Sequence, residues 1–108
     1  MIFPSYMKHS IETYQLFFSS LANPNRLQII NLLRSGKKNV TQISKALDFE
    51  QTMVSHNMKR LERCGMVFVE QIGKNRFYSV NTKSIKPLLE MIDTHMGEYC
   101  HHIICKSK

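Results

Sequence analysis

The chain has 108 residues and a net charge of +7, from 15 Lys and Arg against 8 Asp and Glu, with five His besides. That length suits one domain with a modest core, and 43% hydrophobic with 21% charged residues is an ordinary soluble globular composition. The positive excess favours a polyanion, nucleic acid or an anionic membrane surface.

No apolar run approaches the roughly 18–20 residues of a spanning helix. The start MIFPSYMK lacks the basic and apolar regions of a signal peptide. Cys64, Cys100 and Cys105 form an odd, unevenly spaced set that reads as reduced thiols rather than a disulfide scaffold. A soluble cytoplasmic protein with no membrane partner is expected.

In chain order, the first helix covers about Ser10 to Leu21, because Ile11, Tyr14, Phe17, Phe18 and Leu21 recur at three- and four-residue spacing. Asn23-Pro24 starts a second helix, with Asn as N-cap and Pro where its missing N–H costs nothing. Leu27, Ile29, Ile30, Leu32 and Leu33 make it apolar almost all round, a buried centre. Ser35-Gly36 ends it, with Arg34, Lys37 and Lys38 beside its negative dipole end. A third helix runs from about Thr41 to Leu47, capped by Asn39 or Thr41, with Ile43, Ala46 and Leu47 inward.

The short turn Asp48-Phe49 forces a steep crossing onto a fourth helix, about Gln51 to Cys64, stopped by Gly65. Val54, Met58 and Leu61 are its inward face. Met66 to Ile72 and Arg76 to Val80 flank Gly73-Lys74-Asn75 as a hairpin. The last helix begins near Ser84 and reaches about residue 104, with Pro87 in its first turn. Its stripe of Ile85, Leu89, Ile92, Met96, Tyr99 and Ile103 is longer than so small a core can cover, so part of it should meet another subunit. The expected class is mainly α with a small β-hairpin. A helix braced by a partner helix beside a cationic hairpin suits the major groove of DNA.

Three separated segments, LANPNRLQIINLL, TQISKALDFEQTMVSHNMKRLERCGMV and GKNRFYSV, carry a resemblance in the right order and spacing. The chain resembles the ArsR/SmtB family of winged helix-turn-helix repressors from about Leu21 to Val80. The resemblance implies one DNA-binding domain over 1–108, with dimerisation helices at 10–21 and 84–104, helix-turn-helix at 41–64 and wing at 66–80. It also implies a homodimer through the first and last helices, operator binding by the fourth helix and wing, and release by an effector. Glu50 stands where the family usually has a Ser N-cap, and Cys64 where it has a small residue. Ile11, Tyr14, Phe18, Ile85, Leu89, Ile92, Met96 and Tyr99 are the expected dimer residues.

By this resemblance and by helical geometry, Gln51, Thr52, Met53, Ser55 and His56 face the groove. Gln51 suits adenine, and Thr52 or Met53 a thymine methyl. Lys59, Arg60, Arg63, Lys45, Lys74 and Arg76 suit phosphates, or are solvated surface charges. The operator expected of a two-fold dimer is a double-stranded inverted repeat.

The family's two metal positions are incomplete. Its Cys-x-Cys pair at the third helix is replaced by Asn39-Val40-Thr41, poor ligands for soft metals. Its paired site across the last helices keeps His95 and Glu98, but Thr82 and Ser84 replace the carboxylate and imidazole of a tetrahedral zinc set. His95, Glu98, His101, His102 and Cys105 could still hold zinc or another transition metal, and Cys100 with Cys105 could respond to oxidants. A polar terminal tail with incidental thiols is the simpler reading of them. A winged-helix protein-interaction module and a thiol-responsive repressor are the alternative functions. An enzyme is not expected, because no orienting carboxylate or oxyanion element accompanies the thiols.

Overall fold

The computed structural model describes residues 8–100. Its elements are α1 (Ile11–Ala22), α2 (Pro24–Leu33), α3 (Val40–Leu47), α4 (Gln51–Arg63), β1 (Val67–Ile72), β2 (Asn75–Val80) and α5 (Ile85–Tyr99). Five helices and an antiparallel hairpin make the mainly α, winged helix-turn-helix architecture. Residues 101–104, expected to continue the last helix, lie outside the described residues.

Local chemistry fixes the corners. Ser10 caps α1, its hydroxyl accepting from the Thr13 N–H at 3.2 Å. Asn23 ends α1 in extended backbone and caps α2, accepting from the Asn25 and Arg26 amides at 3.0 and 3.1 Å. One residue therefore makes a sharp corner between two helices. At α3, Asn39 accepts from the Gln42 N–H at 2.8 Å while Gln42 Oε1 accepts from the Asn39 N–H at 2.9 Å, a reciprocal capping box. Asn39→Ala is expected to cost about 1 kcal/mol of stability, seen as a lower urea midpoint with an unchanged slope.

The turn from α3 to α4 rests on Asp48, which takes a left-handed conformation at φ 57°. The Phe49 N–H donates to the Ser44 carbonyl at 3.1 Å, and the Ser44 hydroxyl returns a bond to the Phe49 carbonyl. Phe49 thereby packs against the core, and α4 leaves at a fixed angle.

The core joins Leu21 of α1, Ile29, Ile30 and Leu33 of α2, Ile43 of α3, and Val54, Met58 and Leu61 of α4 to Met66, Val67, Tyr78, Val80, Ile85 and Leu89. Two expectations need correction. Leu27 and Leu32 are only partly buried at the core's edge, so α2 has an outer side. Ala46 is exposed, because the inward stripe of α3 is Val40, Ile43 and Leu47, one residue every three to four.

The hairpin pairs Val67 with Val80 through to Ile72 with Asn75. Its turn is therefore the two residues Gly73-Lys74, shorter than the three expected. Gly73 has φ 62°, as the first central position of a type II′ turn requires. Sequence reasoning missed a bridge between Lys38 and Tyr78, whose amides and carbonyls exchange bonds of 3.0 and 2.9 Å. It pins the outer edge of β2 to the chain entering α3.

On α5, Ile85 and Leu89 were expected at the dimer interface but are buried in the protomer's own core. Two of the five described residues of the α5 stripe are thus used internally, and Arg34 Nη2 at 2.7 Å from Asp93 Oδ2 clips the helix to the end of α2. Ile11, Tyr14, Phe18, Met96 and Tyr99 remain exposed, and Ile92 is half-buried. Tyr14 and Phe18 line an apolar cleft of about 440 Å³ with His9, Thr13, Phe17 and Leu88. Among the described residues, no helix is long and apolar enough to cross a membrane.

Candidate nucleic-acid interface

At 100° per residue, the buried Val54, Asn57, Met58 and Leu61 occupy one side of α4. Thr52, Ser55, His56, Lys59 and Arg63 fall on the other, while Gln51 stands at the helix's open N-terminal end, about 70° from the centre of the buried stripe. Of these, Gln51, Thr52, His56, Lys59 and Arg63 are exposed, and Ser55 is partly covered. No acidic residue lies on this face. Glu50 is the N-cap of α4 and is exposed, but its side chain makes no capping bond. Its carboxylate complements the helix dipole.

Two residues expected on this face are turned from it. Met53 lies on the flank, where its carbonyl accepts from Asn57 Nδ2 at 3.0 Å and its sulfur lies 3.1 Å from the same nitrogen. Arg60 is half-buried, with Nε donating to the Ser20 hydroxyl at 3.1 Å. Both positions fall nearly at right angles to the buried stripe, where tertiary neighbours decide the direction of a long side chain.

Beside the face, the wing tip folds over the start of α3 and encloses a cleft of about 320 Å³. It is lined by Asn39, Val40, Thr41, Ser55, Lys59, Lys74, Asn75, Arg76 and Tyr78. Three cations from two elements converge there on the first turn of α3, whose leading amides have no carbonyl partner within the helix. The arrangement has the charge and donors to seat a phosphate. Arg76 lies 3.8 Å from Glu62 Oε1 and 6.0 Å from the Tyr78 ring centre, so Tyr78 supports its guanidinium. Lys45 is exposed on the last turn of α3, outside the cleft.

Asn39, Asn75 and Tyr78 were not expected at this site. Their contribution depends on the wing closing over α3, through the Lys38–Tyr78 bridge, which no local pattern announces.

Those of the expected metal positions that fall within the described residues do not assemble a metal site. Asn39 is committed to its capping box, and Val40 and Thr41 offer no thiolate. His95 and Glu98 are exposed on α5, with the His95 ring 5.3 Å from that of Tyr99. Among the described residues, no group of three or more His, Cys, Asp or Glu side chains is placed to hold a metal ion. Cys64 and Cys100 are free, half-buried thiols. His101, His102 and Cys105 lie outside the described residues.

Residues 23–68 match the family model described as "Bacterial regulatory protein, arsR family". Over 82 residues the chain is 34% identical to the HTH-type transcriptional regulator NmtR of Mycobacterium tuberculosis, covering 76% of this chain and 68% of that protein. It is 28% identical to a transcriptional repressor SmtB homolog of Synechocystis over 82 residues, 76% of this chain and 62% of the relative. A homodimeric winged helix-turn-helix DNA-binding domain from Mycobacterium bovis superimposes with a TM-score of 0.78 at 26% identity, covering 94% of this chain and 95% of that one. The chain belongs to the arsR family of bacterial regulatory proteins.

Proposed function

We infer that the protein is a sequence-specific DNA-binding transcriptional regulator, a homodimeric repressor of the cytoplasm released from its operator by an effector. The observation that carries this reading is the continuity of the polar, cationic face of α4 with the cleft of Lys59, Lys74 and Arg76. The first offers side chains to base edges in the major groove, and the second offers charge to the adjoining phosphates. Gln51, Thr52, Ser55 and His56 are the base-reading set. Lys59, Arg63, Lys74 and Arg76 hold the backbone, with Lys45 at the periphery.

The dimer forms through the faces that the protomer leaves open: Ile11, Tyr14 and Phe18 of α1 with Met96, Tyr99 and part of Ile92 of α5. Covering exposed side chains of this size is the main gain in such an interface. The homodimeric relative of known structure and the relative named a repressor support this assembly and sign of regulation.

Ser55→Ala with His56→Ala tests the reading. With roughly 1–3 kcal/mol at stake for each base interaction removed, and two removed in each half-site, the double variant dimer is expected to bind a wild-type-selected duplex about a thousandfold or more weakly. Sedimentation should give the same dimer. Unchanged affinity would remove these residues from the reading face.

A further inference from the structure

Behind the recognition helix lies a polar network that the DNA-facing surface does not use. Arg26, in the first turn of α2, sends its guanidinium back under the end of α1. Its Nε donates to the Ser20 carbonyl at 2.5 Å and its Nη2 to the Ser19 carbonyl at 3.3 Å. The last turn of α1 has no basic residue of its own, so Arg26 supplies the positive charge that a helix C-terminus favours. Its Nη1 donates to Asn57 Oδ1 at 3.2 Å, and Asn57 Nδ2 passes a bond to the Met53 carbonyl at 3.0 Å. From α4, Arg60 Nε donates to the Ser20 hydroxyl at 3.1 Å, with Cys64 Sγ 3.4 Å from the same oxygen.

Ser20 is fully buried and Asn57 nearly so. Among the described residues, neither Arg26 nor Arg60 is paired with a carboxylate. Two guanidiniums thus meet at one serine with nothing of opposite charge. As a source of stability this is inefficient, since apolar side chains of similar volume hold helices together as well or better. A planar fork of donors supplies direction, which an apolar neighbour does not. α1 packs chiefly on α2, and α4 on α3 and β1, so these side chains tie the end of α1 to the back of α4.

We propose that Arg26, Ser20, Asn57 and Arg60 form a strut that fixes the tilt of α4 against α1, and so sets the half-site spacing that the dimer accepts. The proposal rests on the DNA-binding reading above: α1 meets the second copy and α4 meets the duplex. Their mutual angle therefore sets the separation of the two reading helices. The 13 residues of α4 span about 20 Å, and a tilt of about 10° moves its far end by roughly 3.5 Å, one base-pair step. Arg26 and Ser20 are positioning residues that do not touch the duplex.

The test uses the full chain and a duplex that the wild type enriches from a random pool. Companion duplexes carry the half-sites one base pair closer or farther apart, and another carries a single half-site. Arg26→Lys keeps the charge but removes the fork, and Ser20→Ala removes the hydroxyl that anchors Arg60 and meets Cys64, leaving the backbone carbonyl that Arg26 holds. The wild type is expected to prefer the selected spacing by about tenfold or more, reflecting the strain of fitting a displaced half-site. Each variant should reduce that preference to about threefold or less, with single half-site affinity within about twofold of wild type. A purely structural role would lower affinity for every duplex alike and leave the preference intact, and an intact preference in both variants overturns the proposal.

A second measurement is made without DNA. Spin labels carried by an unnatural amino acid at position 52 report the distance between the two recognition helices of the dimer. A narrow distribution in the wild type that broadens in Arg26→Lys supports the strut, and superimposable distributions overturn it. A wild type that enriches no duplex would sink the DNA-binding reading, while this distance would still decide whether the network holds α4.

Discussion

Replacing Lys59, Lys74 and Arg76 together with alanine is expected to flatten the salt dependence of DNA binding by about 5.4 in the slope of log K against log salt, close to one unit for each phosphate that the three side chains of both protomers no longer neutralise. At 0.1 M salt this corresponds to an affinity reduction on the order of a hundred-thousandfold for the dimer, fading toward parity near 1 M. All three side chains line one cleft against the first turn of α3, so they act on the same stretch of backbone. Glu62 does not hold Arg76 away from DNA. Their 3.8 Å separation and exposed side chains make a pair worth at most about 1 kcal/mol. Because interactions with phosphates position the protein without reading sequence, the ratio of selected to unrelated duplex should change far less than the affinity. An unchanged salt slope would show that the cleft does not seat the backbone, and a collapsed sequence preference would show that it reads bases.

The second large effect concerns stability. Leu61→Ala should destabilise the fold by about 2–5 kcal/mol, the range for emptying a leucine site in a closed core. Leu61 is fully buried in the cluster that joins α4 to α2, α3 and the hairpin. With roughly 5–15 kcal/mol available to a domain in total, much of the margin disappears. Urea unfolding at fixed protein concentration reads the change as a lower midpoint. Where the variant remains folded, at low temperature, the DNA-facing side chains are untouched and affinity should stay near wild type. A cost below about 1 kcal/mol would mean that the core closes over the gap.

Sequence periodicity was enough to place the helices, because each inward stripe is read against its own polar side. Asn23-Pro24 and Gly65 announced their corners for equally local reasons: a capping oxygen, a preset φ, a residue tolerant of positive φ. The exposure of Thr52, His56, Lys59 and Arg63 on α4 followed from the same count, and the inward lean of Met53 and Arg60 did not. What periodicity could not do was divide an apolar stripe between two uses. Ile85, Leu89, Ile92, Met96 and Tyr99 form one seam, yet Ile85 and Leu89 close the protomer's core while Met96 and Tyr99 remain outside. The dividing point depends on where α5 leaves α2, which the Arg34–Asp93 pair helps to fix.

Two features of the site were illegible for a related reason. The cleft needs the wing to lie across α3, a consequence of the Lys38–Tyr78 bridge between residues far apart in sequence. The inward turn of Arg60 depends on Ser20, forty residues away. A lysine or arginine on a helical wheel shows only its angle, and its partner is a tertiary matter.

The central claim is that two copies of α4, each with its phosphate-seating cleft, read one duplex together. Enrichment of bound duplexes from a random pool by the full chain tests it most directly. The prediction is an inverted repeat with half-site centres about one helical turn apart, bound with steep salt dependence. Enrichment of an isolated half-site alone, or of no sequence at all, would contradict it.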